Sequence, residues 1–398
     1  MKQGWEEKKL DELFNVQSSK RVHKSDWKDE GIPFYRAREV VKLAKDGFVQ
    51  NDLYISNELF NEFTKEKGAP KKGDIVVSAV GTLGRCYLVK ENDLFYIKDA
   101  SVLWLSKISN VHSKYIKYAF DSDLILKQVF YKSMGATVAT LTITRAKNIL
   151  IPIPPLDEQK RIVSKLDQCF KAIDKARANV EKNLNNAKEL FQSKLNEIFS
   201  QRGDGWVEKK LGEVYDVRDG THDSPKYHDE GYPLITSKNL KNDAISFEKI
   251  KLISELDFIN INKRSKVNIG DVLFAMIGTI GNPVVVVEEP HFAIKNVALF
   301  KVSQSQHSQF LKYYLDSDYV IKKMGNEAKG STQKFVGLGY LRNFPILLPP
   351  FDRQESIVKE LDNLKSQTQS LESNYQKELD ALDELKKSIL QKAFNGEL

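Results

Sequence analysis

Apolar side chains recur every seventh residue in two stretches of the chain, the spacing of a long helix that packs against another helix. In residues 351–398 the two heptad series are Leu361, Thr368, Tyr375, Leu382, Ile389 and Leu364, Leu371, Glu378, Leu385. Residues 156–200 carry the series Leu166, Ile173, Val180 and Ala187. Each stretch follows a Pro-Pro pair, and Asp157 and Asp352 are candidate N-caps. We therefore predict coiled-coil helices at 156–200 and 351–398.

Short apolar alternations bounded by Gly, Pro, Asn and Asp precede each of these helices and predict strands and turns. The runs at 75–80 and 272–277 are each followed by a Gly-Thr-x-Gly turn and a second apolar run, which predicts a β-hairpin in each. The turn lacks the spacing of a phosphate-binding loop. Residues 115–131 and 310–324 have helical spacing, and each segment predicts a core-facing helix.

The two halves of the chain repeat one another. GWEEKKL at 4–10 returns as GWVEKKL at 205–211, an offset of 201 residues. GDIVVSAVGTLG at 73–84 returns at 270–281, and NILIPIPP at 148–155 returns as NFPILLPP at 343–350. A period near 200 is too long for a solenoid, whose units have about 20 to 50 residues. Each repeat is therefore a domain followed by a helix.

The repeat predicts an α+β protein with two similar β-rich heads and two long helices. The predicted boundaries are 1–155 for the first head, 156–200 for the central helix, 201–350 for the second head and 351–398 for the C-terminal helix. Antiparallel packing of the two helices would hide both apolar stripes and separate the heads. In the alternative arrangement, each helix pairs with another chain. The predicted helix-packing residues are Leu166, Ile173, Val180, Leu361, Leu364, Leu371, Leu382 and Ile389.

Composition excludes several classes of protein. The chain has 398 residues, 41% of them hydrophobic, which supports packed cores in two or three domains and excludes general disorder. No apolar run reaches membrane-spanning length and the N-terminus lacks a signal-peptide core, so we expect a cytoplasmic protein. The two cysteines, Cys86 and Cys169, are far apart and do not suggest a disulfide framework or a zinc finger.

Known catalytic and cofactor motifs are missing from the sequence. The six histidines lack the spacing of a metal site, and there is no Walker A loop or nucleophile elbow. The string Asp157-Glu158-Gln159-Lys160 could suggest a nuclease, but its repeat counterpart is Asp352-Arg353-Gln354-Glu355, which favours a helix start. We expect a non-catalytic chain that binds no cofactor and no metal.

The formal charge of +7 is too small to indicate nucleic-acid binding by itself. The first head carries 25 basic and 19 acidic residues and the second head 20 and 18, so the excess lies in the first. Loops that mix Lys and Arg with small polar donors suit contacts with phosphates and base edges, although they could also be ordinary polar surface. The candidate DNA-binding residues of the first head are Lys20, Arg21, His23, Lys24, Arg36, Arg38, Lys132, Thr137 and Thr140, and those of the second head are Arg218, Thr221, His222, Lys226, Lys238, Asn239, Lys329, Ser331, Thr332, Gln333 and Lys334. These loops differ most between the repeats, as expected if each head recognises a different target.

The combination of repeated motifs resembles the DNA specificity subunit of type I restriction-modification systems. The motifs are the G-W…K-K-L starts, the G-D-[IV] and G-T-[IL]-G blocks, the Pro-Pro exits into long helices, and the ending LKKSILQKAFNGEL at 385–398. The resemblance covers the full chain. In one respect the chain departs from the family, because only three residues precede Gly4-Trp5, so the C-terminal helix alone would close the circular arrangement.

The resemblance implies that each head is a target recognition domain for one half of a bipartite asymmetric DNA site. The helices would set the spacing between half-sites and dock two modification subunits, which methylate adenine with S-adenosylmethionine. Restriction subunits would add ATP- and magnesium-dependent translocation and cleavage. Two other hypotheses remain: a coiled-coil scaffold whose heads bind proteins, and a self-contained enzyme, which the missing motifs disfavour.

Overall fold

A computed structural model describes residues 2–130, 139–201, 203–330 and 334–398 and divides the chain into two compact units. The first unit comprises Met1–Val180 and Lys377–Leu398, and the second comprises Glu181–Gln376. Each unit therefore contains one head and a segment of both long helices. In these residues no helix has the length and apolar character needed to cross a membrane.

The first unit has a mixed fold built on a four-stranded antiparallel sheet in the order β2-β8-β5-β6. A three-stranded sheet, β4-β3-β7, and the pair β1-β9 complete the head. The strands are β1 Glu6–Lys9, β2 Phe14–Gln17, β3 Ile32–Tyr35, β4 Tyr54–Ile55, β5 Ile75–Ser78, β6 Cys86–Leu88, β7 Tyr96–Ile97, β8 Val102–Lys107 and β9 Leu150–Ile153. The helices are α1 Leu10–Leu13, α2 Ala37–Asp46, α3 Asn57–Lys67, α4 Ser113–Phe120, α5 Asp123–Phe130, α6 Ile143–Lys147 and the long α7 Leu156–Ser200, with a 3-10 turn at Lys24–Asp26.

The second unit repeats this plan, with the sheet β11-β19-β16-β17, the sheet β15-β12-β18 and the pair β10-β20. A hairpin, β13-β14, follows β12 where the first unit has α2. The strands are β10 Val207–Lys210, β11 Asp216–Asp219, β12 Tyr232–Ile235, β13 Leu240–Lys241, β14 Ala244–Ile245, β15 Lys251–Ile253, β16 Val272–Ala275, β17 Gly281–Val285, β18 Ala293–Ile294, β19 Val297–Lys301 and β20 Pro345–Leu348. The helices are α8 Leu211–Val214, α9 Glu255–Ser265, α10 Ser308–Asp316, α11 Asp318–Glu327, α12 Leu338–Asn343 and the long α13 Phe351–Phe394, with a 3-10 turn at Ser237–Asn239.

The Gly-Asp motif that repeats in the sequence places a buried carboxylate at the start of a central strand. Asp74 is fully buried and accepts hydrogen bonds from the Trp104 indole at 2.8 Å and the Lys107 amide at 3.0 Å. Its counterpart Asp271 accepts from Lys301 Nζ at 2.5 Å and the Asn268 amide at 2.7 Å. The preceding glycines have positive φ, which a glycine adopts at no steric cost. The predicted hairpins that follow, β5-β6 and β16-β17, are confirmed.

Two predictions about the shorter helices are wrong in detail. The single helices expected at 115–131 and 310–324 are each two helices, α4 with α5 and α10 with α11, because a serine interrupts the turn. The Ser317 hydroxyl, for example, accepts from the Val320 amide at the start of α11.

The predicted N-caps of the long helices are also wrong. Asp157 and Asp352 lie inside the first turns of α7 and α13, so their negative charges interact favourably with the positive end of the helix dipole, but neither residue is the N-cap.

Parts of both long helices pack together within each unit. In the first unit Leu166 and Ile173 are buried, and Leu382 and Ile389 pack against the same cluster. Arg177 contacts Asp383, and Asp174 lies 3.7 Å from Lys386, so these segments run antiparallel. In the second unit Leu361 is fully buried, in the same cluster as Leu195. Val180 and Leu364 are half-buried. Leu371 is 39% exposed, so its predicted role in this packing is wrong.

A buried glutamine in each unit links the long helix to its head. Gln159 is 3% exposed, accepts from the His112 amide at 2.9 Å and donates to the Pro154 carbonyl at 2.8 Å. Gln354, 195 residues later, makes the same bonds with His307 and Pro349. In each glutamine the side-chain oxygen accepts one bond and the side-chain nitrogen donates the other. The two bonds together fix the direction in which the long helix leaves the head.

We expect Gln159→Ala to lower the free energy of unfolding by about 2 to 4 kcal/mol, because the His112 N–H and the Pro154 carbonyl would be buried without partners. Thermal or urea unfolding of the full chain measures the change. Asp157→Ala, at a carboxylate that is 96% exposed, is the matched control and should change stability little. Equal losses in the two variants would contradict the assigned role.

Candidate nucleic-acid interface

In the first head, three loops that are far apart in sequence meet where β3 and β7 end. These strands are parallel neighbours, and the Lys98 amide donates to the Tyr35 carbonyl at 2.8 Å just beyond the last pair. The loop at 18–24 joins them through Ser19 Oγ, which donates to the Ile97 carbonyl at 2.6 Å, and through Arg21, whose Nε lies 3.0 Å from Asp99. We call this region, residues 18–24, 36–38 and 98–101, the first strand-end surface.

The second head has the same arrangement at the ends of β12 and β18. The Lys295 amide donates to the Ile235 carbonyl at 2.8 Å, and the Thr221 amide donates to the Ile294 carbonyl at 3.0 Å. Lys295 Nζ also contacts Ser224 Oγ at 2.5 Å. We call residues 219–226, 236–239 and 295–296 the second strand-end surface. The strand pairing and the arrangement of the three loops are thus common to both heads.

The side chains on this common framework differ from one head to the other. Where the first head pairs Arg21 with Asp99, the second places His222 Nδ1 2.8 Å from Asn296 Oδ1. Between the loop and the following helix, the first head pairs Lys20 with Glu66 at 2.8 Å. At the corresponding place in the second head the charges are reversed.

In that reversed pair the carboxylate lies at the end of β11 and the cation on α9. Asp219, 8% exposed, accepts from Arg264 Nη2 at 2.8 Å, and its second oxygen lies 2.8 Å from His222 Nε2. Arg264 projects from α9 and lines an open cleft of about 550 Å³ with His222, Asp257 and Asn260. In the first head, a cleft of about 520 Å³ borders the same loop and is lined by Arg21, His23, Lys24 and Lys98 among others.

Arg36 and Arg38 share two carboxylates at the start of α2. Glu39 is 2% exposed and accepts from Arg36 Nε at 3.1 Å, Arg36 Nη2 at 3.0 Å and Arg38 Nε. Asp52 accepts from Arg38 Nη2 at 2.6 Å and Arg36 Nη2 at 3.1 Å. Burial raises the pKa of Glu39, but the hydrogen bonds from the arginines outweigh it and hold that pKa below its usual value. The Arg38 hydrogen bond likewise lowers the pKa of Asp52.

The remaining predicted residues of the first head divide by their surroundings. Lys24 and His23 are exposed on the strand-end surface, and Lys24 has no ion-pair partner among the described residues. Thr140 forms an isolated β-bridge with Val80, a residue that lines the cleft. The Thr140 carbonyl accepts from Arg145 Nη1 at 2.7 Å. Lys132 and Thr137 lie outside the described residues.

In the second head, Lys226 and Lys238 are exposed, whereas Asn239 is buried. Its side-chain oxygen accepts from the Thr236 amide at 3.0 Å and its nitrogen donates to the Ser246 carbonyl at 3.0 Å, so we assign it a structural role. Arg218 is held by Asp216 at 2.9 Å. Lys329 pairs through its backbone with Phe335, and Lys334 Nζ donates to the Gly325 carbonyl at 2.8 Å. Ser331, Thr332 and Gln333 lie outside the described residues.

Sequence reasoning missed the residues that complete these surfaces, namely Lys98, Asp99, Arg264, Lys295 and Asn296. Four of them belong to the repeated Ile-Lys-Asp and Ile-Lys-Asn strings, so the repeat itself carried a signal. The described residues contain no group of three or more His, Cys, Asp and Glu side chains placed to hold a metal ion. The arrangement offers fixed hydrogen-bond donors and acceptors at an exposed surface, which suits recognition.

Comparison with known proteins gives consistent matches. The family described as type I restriction modification DNA specificity domain matches residues 2–183 and 203–381. The EcoKI specificity subunit of Escherichia coli K12 is 24% identical over 93% of this chain and 83% of that protein. The putative specificity subunit S.HindORF215P of Haemophilus influenzae is 34% identical over 40% of this chain, a match that spans 38% of that relative's length.

Solved structures show the same fold over the whole chain. A chain from a structure of a type I R-M system aligns with a TM-score of 0.77, 22% identity and coverage of 100% of this chain and 99% of that chain. The HsdS subunit from Thermoanaerobacter tengcongensis aligns with a TM-score of 0.66 and 21% identity, with coverage of 100% and 98%. The predicted α+β architecture with repeated heads and long helices is confirmed.

We expect Asp219→Asn to loosen the second strand-end surface, because Arg264 and His222 would lose the carboxylate that both contact. Stability should fall by about 1 to 2 kcal/mol, and the Gly220 and Thr221 amides should exchange with solvent faster. Hydrogen exchange of the full chain measures both effects. Asp223→Asn, at an exposed carboxylate in the same loop, is the control and should leave exchange unchanged.

Proposed function

Because the chain belongs to the family of type I restriction modification DNA specificity domains, we propose that each head recognises one half of a bipartite, asymmetric DNA site. The chain is a type I specificity subunit, whose function is DNA recognition, and the enzymatic activities belong to separate subunits. The scaffold with protein-binding heads is not favoured. Within this function, the strand-end surfaces are the proposed sites of contact with DNA.

The main support for this proposal is that the two heads share the same strand pairing and loop arrangement but carry different side chains on it. Both heads bring the same three loops together. The backbone bond between the strand ends is equivalent in the two heads, whereas the first loop is held by the Ser19 hydroxyl in one head and by the Thr221 amide in the other. The contacts on that framework nevertheless change from Arg21–Asp99 to His222–Asn296. A surface needed only for folding has no reason to change its donors and acceptors in this way, whereas two half-sites of different sequence require it.

The proposed contacts divide by chemistry. Exposed lysines without ion-pair partners in the described part of the chain, such as Lys24 and Lys226, suit phosphates, because a flexible ammonium acts as a point charge. A side chain held by a second residue, such as Arg264, suits base edges because its remaining donors have fixed directions. The undescribed loop residues Lys132, Thr137, Ser331, Thr332 and Gln333 stay candidates by sequence.

We also propose that the long helices set the distance between half-sites and dock two modification subunits, with restriction subunits added in the full complex. Exposed leucines on the helices support docking: Leu190 is 48% exposed and Leu371 39% exposed in the second unit, and Leu385 is 47% exposed in the first. Apolar side chains exposed on a helix gain free energy when a partner covers them. S-adenosylmethionine, ATP and magnesium would be bound by those partners. We propose the cytoplasm as the location.

We expect Lys24→Gln and Lys226→Gln each to weaken DNA binding by the complex with modification subunits and to reduce the slope of log K against log salt by about one. The physical reason is that each lysine releases about one counterion when it meets a phosphate. Fluorescence anisotropy at several salt concentrations measures the slope. The controls are Lys8→Gln and Lys209→Gln, on the β1-β9 and β10-β20 pairs, and an equal change in these controls would contradict the assignment.

We expect Leu190→Arg combined with Leu371→Arg to abolish co-purification with the modification subunits, because both charges would be buried on assembly. The melting temperature of the isolated chain should change little, since both leucines are already exposed. Ser373→Arg, at an exposed position of α13, is the control. Normal assembly of the double variant would remove these leucines from the docking surface.

A further inference from the structure

Arg38 is the exposed member of a braced arginine pair on the first strand-end surface. Its side chain is 57% exposed, whereas that of Arg36 is 23% exposed and that of Glu39 is 3% exposed. Arg36 Nε and Nη2 both face Glu39, and Nη2 also reaches Asp52, so the inner arginine is committed to the two carboxylates.

The donors of Arg38 are divided between an inner and an outer edge. A guanidinium has five N–H donors in a planar fork. Arg38 Nε donates to Glu39, and Nη2 lies 2.8 Å and 2.6 Å from the two Asp52 oxygens. Nη1 has no partner among the described residues, so its two N–H groups form the outer edge that remains available.

The brace fixes the direction of this outer edge. Glu39 is anchored beneath the surface because it also accepts from the Arg36 amide at 2.9 Å in the first turn of α2. Two carboxylates then hold one guanidinium at two of its nitrogens, which removes most of its rotamer freedom before any ligand arrives. An arginine that served only as a surface ion pair would gain little from such an arrangement, since exposed pairs contribute about 0 to 1 kcal/mol.

We propose that Arg38 recognises a guanine in the half-site bound by the first head, donating from the two N–H groups of Nη1 to guanine N7 and O6, and that Glu39 is its positioning residue. This inference rests on the proposed function. Paired N–H donors match guanine because only guanine presents two adjacent acceptors on its major-groove edge. The repeat-equivalent residues of the second head are Lys238 and Asn239, and Asn239 is buried in its own hydrogen bonds. The recognition by a braced arginine proposed here therefore applies only to the half-site bound by the first head.

The test is to determine the adenine-methylation motif produced by the complete modification complex, with wild-type chain, Arg38→Ala, Arg38→Lys or Glu39→Gln. We expect both Arg38 variants to relax one G·C position in one half-site, while the other half-site stays unchanged and reports that the chain is folded. Glu39→Gln should relax the same position partly. If every position keeps its preference in Arg38→Ala, or if the relaxed position is an A·T pair, the inference is wrong.

A modified base separates direct contact from an indirect structural effect. In a duplex with 7-deazaguanine at the relaxed position, N7 is absent, so wild-type complex should bind about tenfold or more weaker than to guanine. Arg38→Ala should bind the two duplexes equally. If 7-deazaguanine lowers the affinity of the wild-type and Arg38→Ala complexes equally, Arg38 does not make the contact with guanine N7 and the inference is wrong. If the wild-type complex produces no bipartite motif at all, the proposed function fails, which is distinguishable from these outcomes.

Discussion

The parallel pairing of β3 with β7, and of β12 with β18, is the constraint on which the candidate interface depends. Two parallel strands finish at the same edge of a sheet, so chain segments separated by more than 50 residues leave the sheet side by side. The loop after β2 or β11 then closes over both ends, through the Ser19 hydroxyl to the Ile97 carbonyl in the first head and through the Thr221 amide to the Ile294 carbonyl in the second. Because the strand ends themselves are joined by main-chain bonds, the side chains around them can change without loss of the strand pairing.

The buried polar groups explain why the framework survives duplication while the loops diverge. Asp74 and Asp271, and likewise Gln159 and Gln354, satisfy backbone groups that would otherwise be buried without partners. Any replacement at these sites leaves several groups unsatisfied at once. By contrast, Lys20–Glu66 in the first head and Asp219–Arg264 in the second replace one ion pair by another, so no charge is left without a partner.

The sequence predicted the repeated heads, the hairpins and the long helices, because repeats, glycine turns and heptads are local signals. It failed where local and tertiary requirements differ. Leu371 occupies a heptad position but is exposed, whereas the polar Thr368 in the neighbouring series is 2% exposed. The strand-end surfaces were predicted only in part, since the pairing of Arg21 with Asp99 depends on strand order, which sequence periodicity does not contain. Arg264 was missed because its counterpart in the first head is a glutamate.

Pairing with carboxylates also limits the electrostatic field of the first strand-end surface, although the first head carries the basic excess of the chain. Lys20, Arg21, Arg36 and Arg38 each contact a carboxylate, so they add little to the long-range attraction that draws a protein to any phosphate backbone. Their donors remain present and are held in fixed directions. Non-specific attraction to DNA increases with the number of unpaired positive charges, whereas discrimination between sequences depends on how precisely hydrogen-bond donors are positioned at the base edges. A head that pairs its arginines therefore attracts phosphates in general less strongly, while the donors of those arginines keep fixed directions.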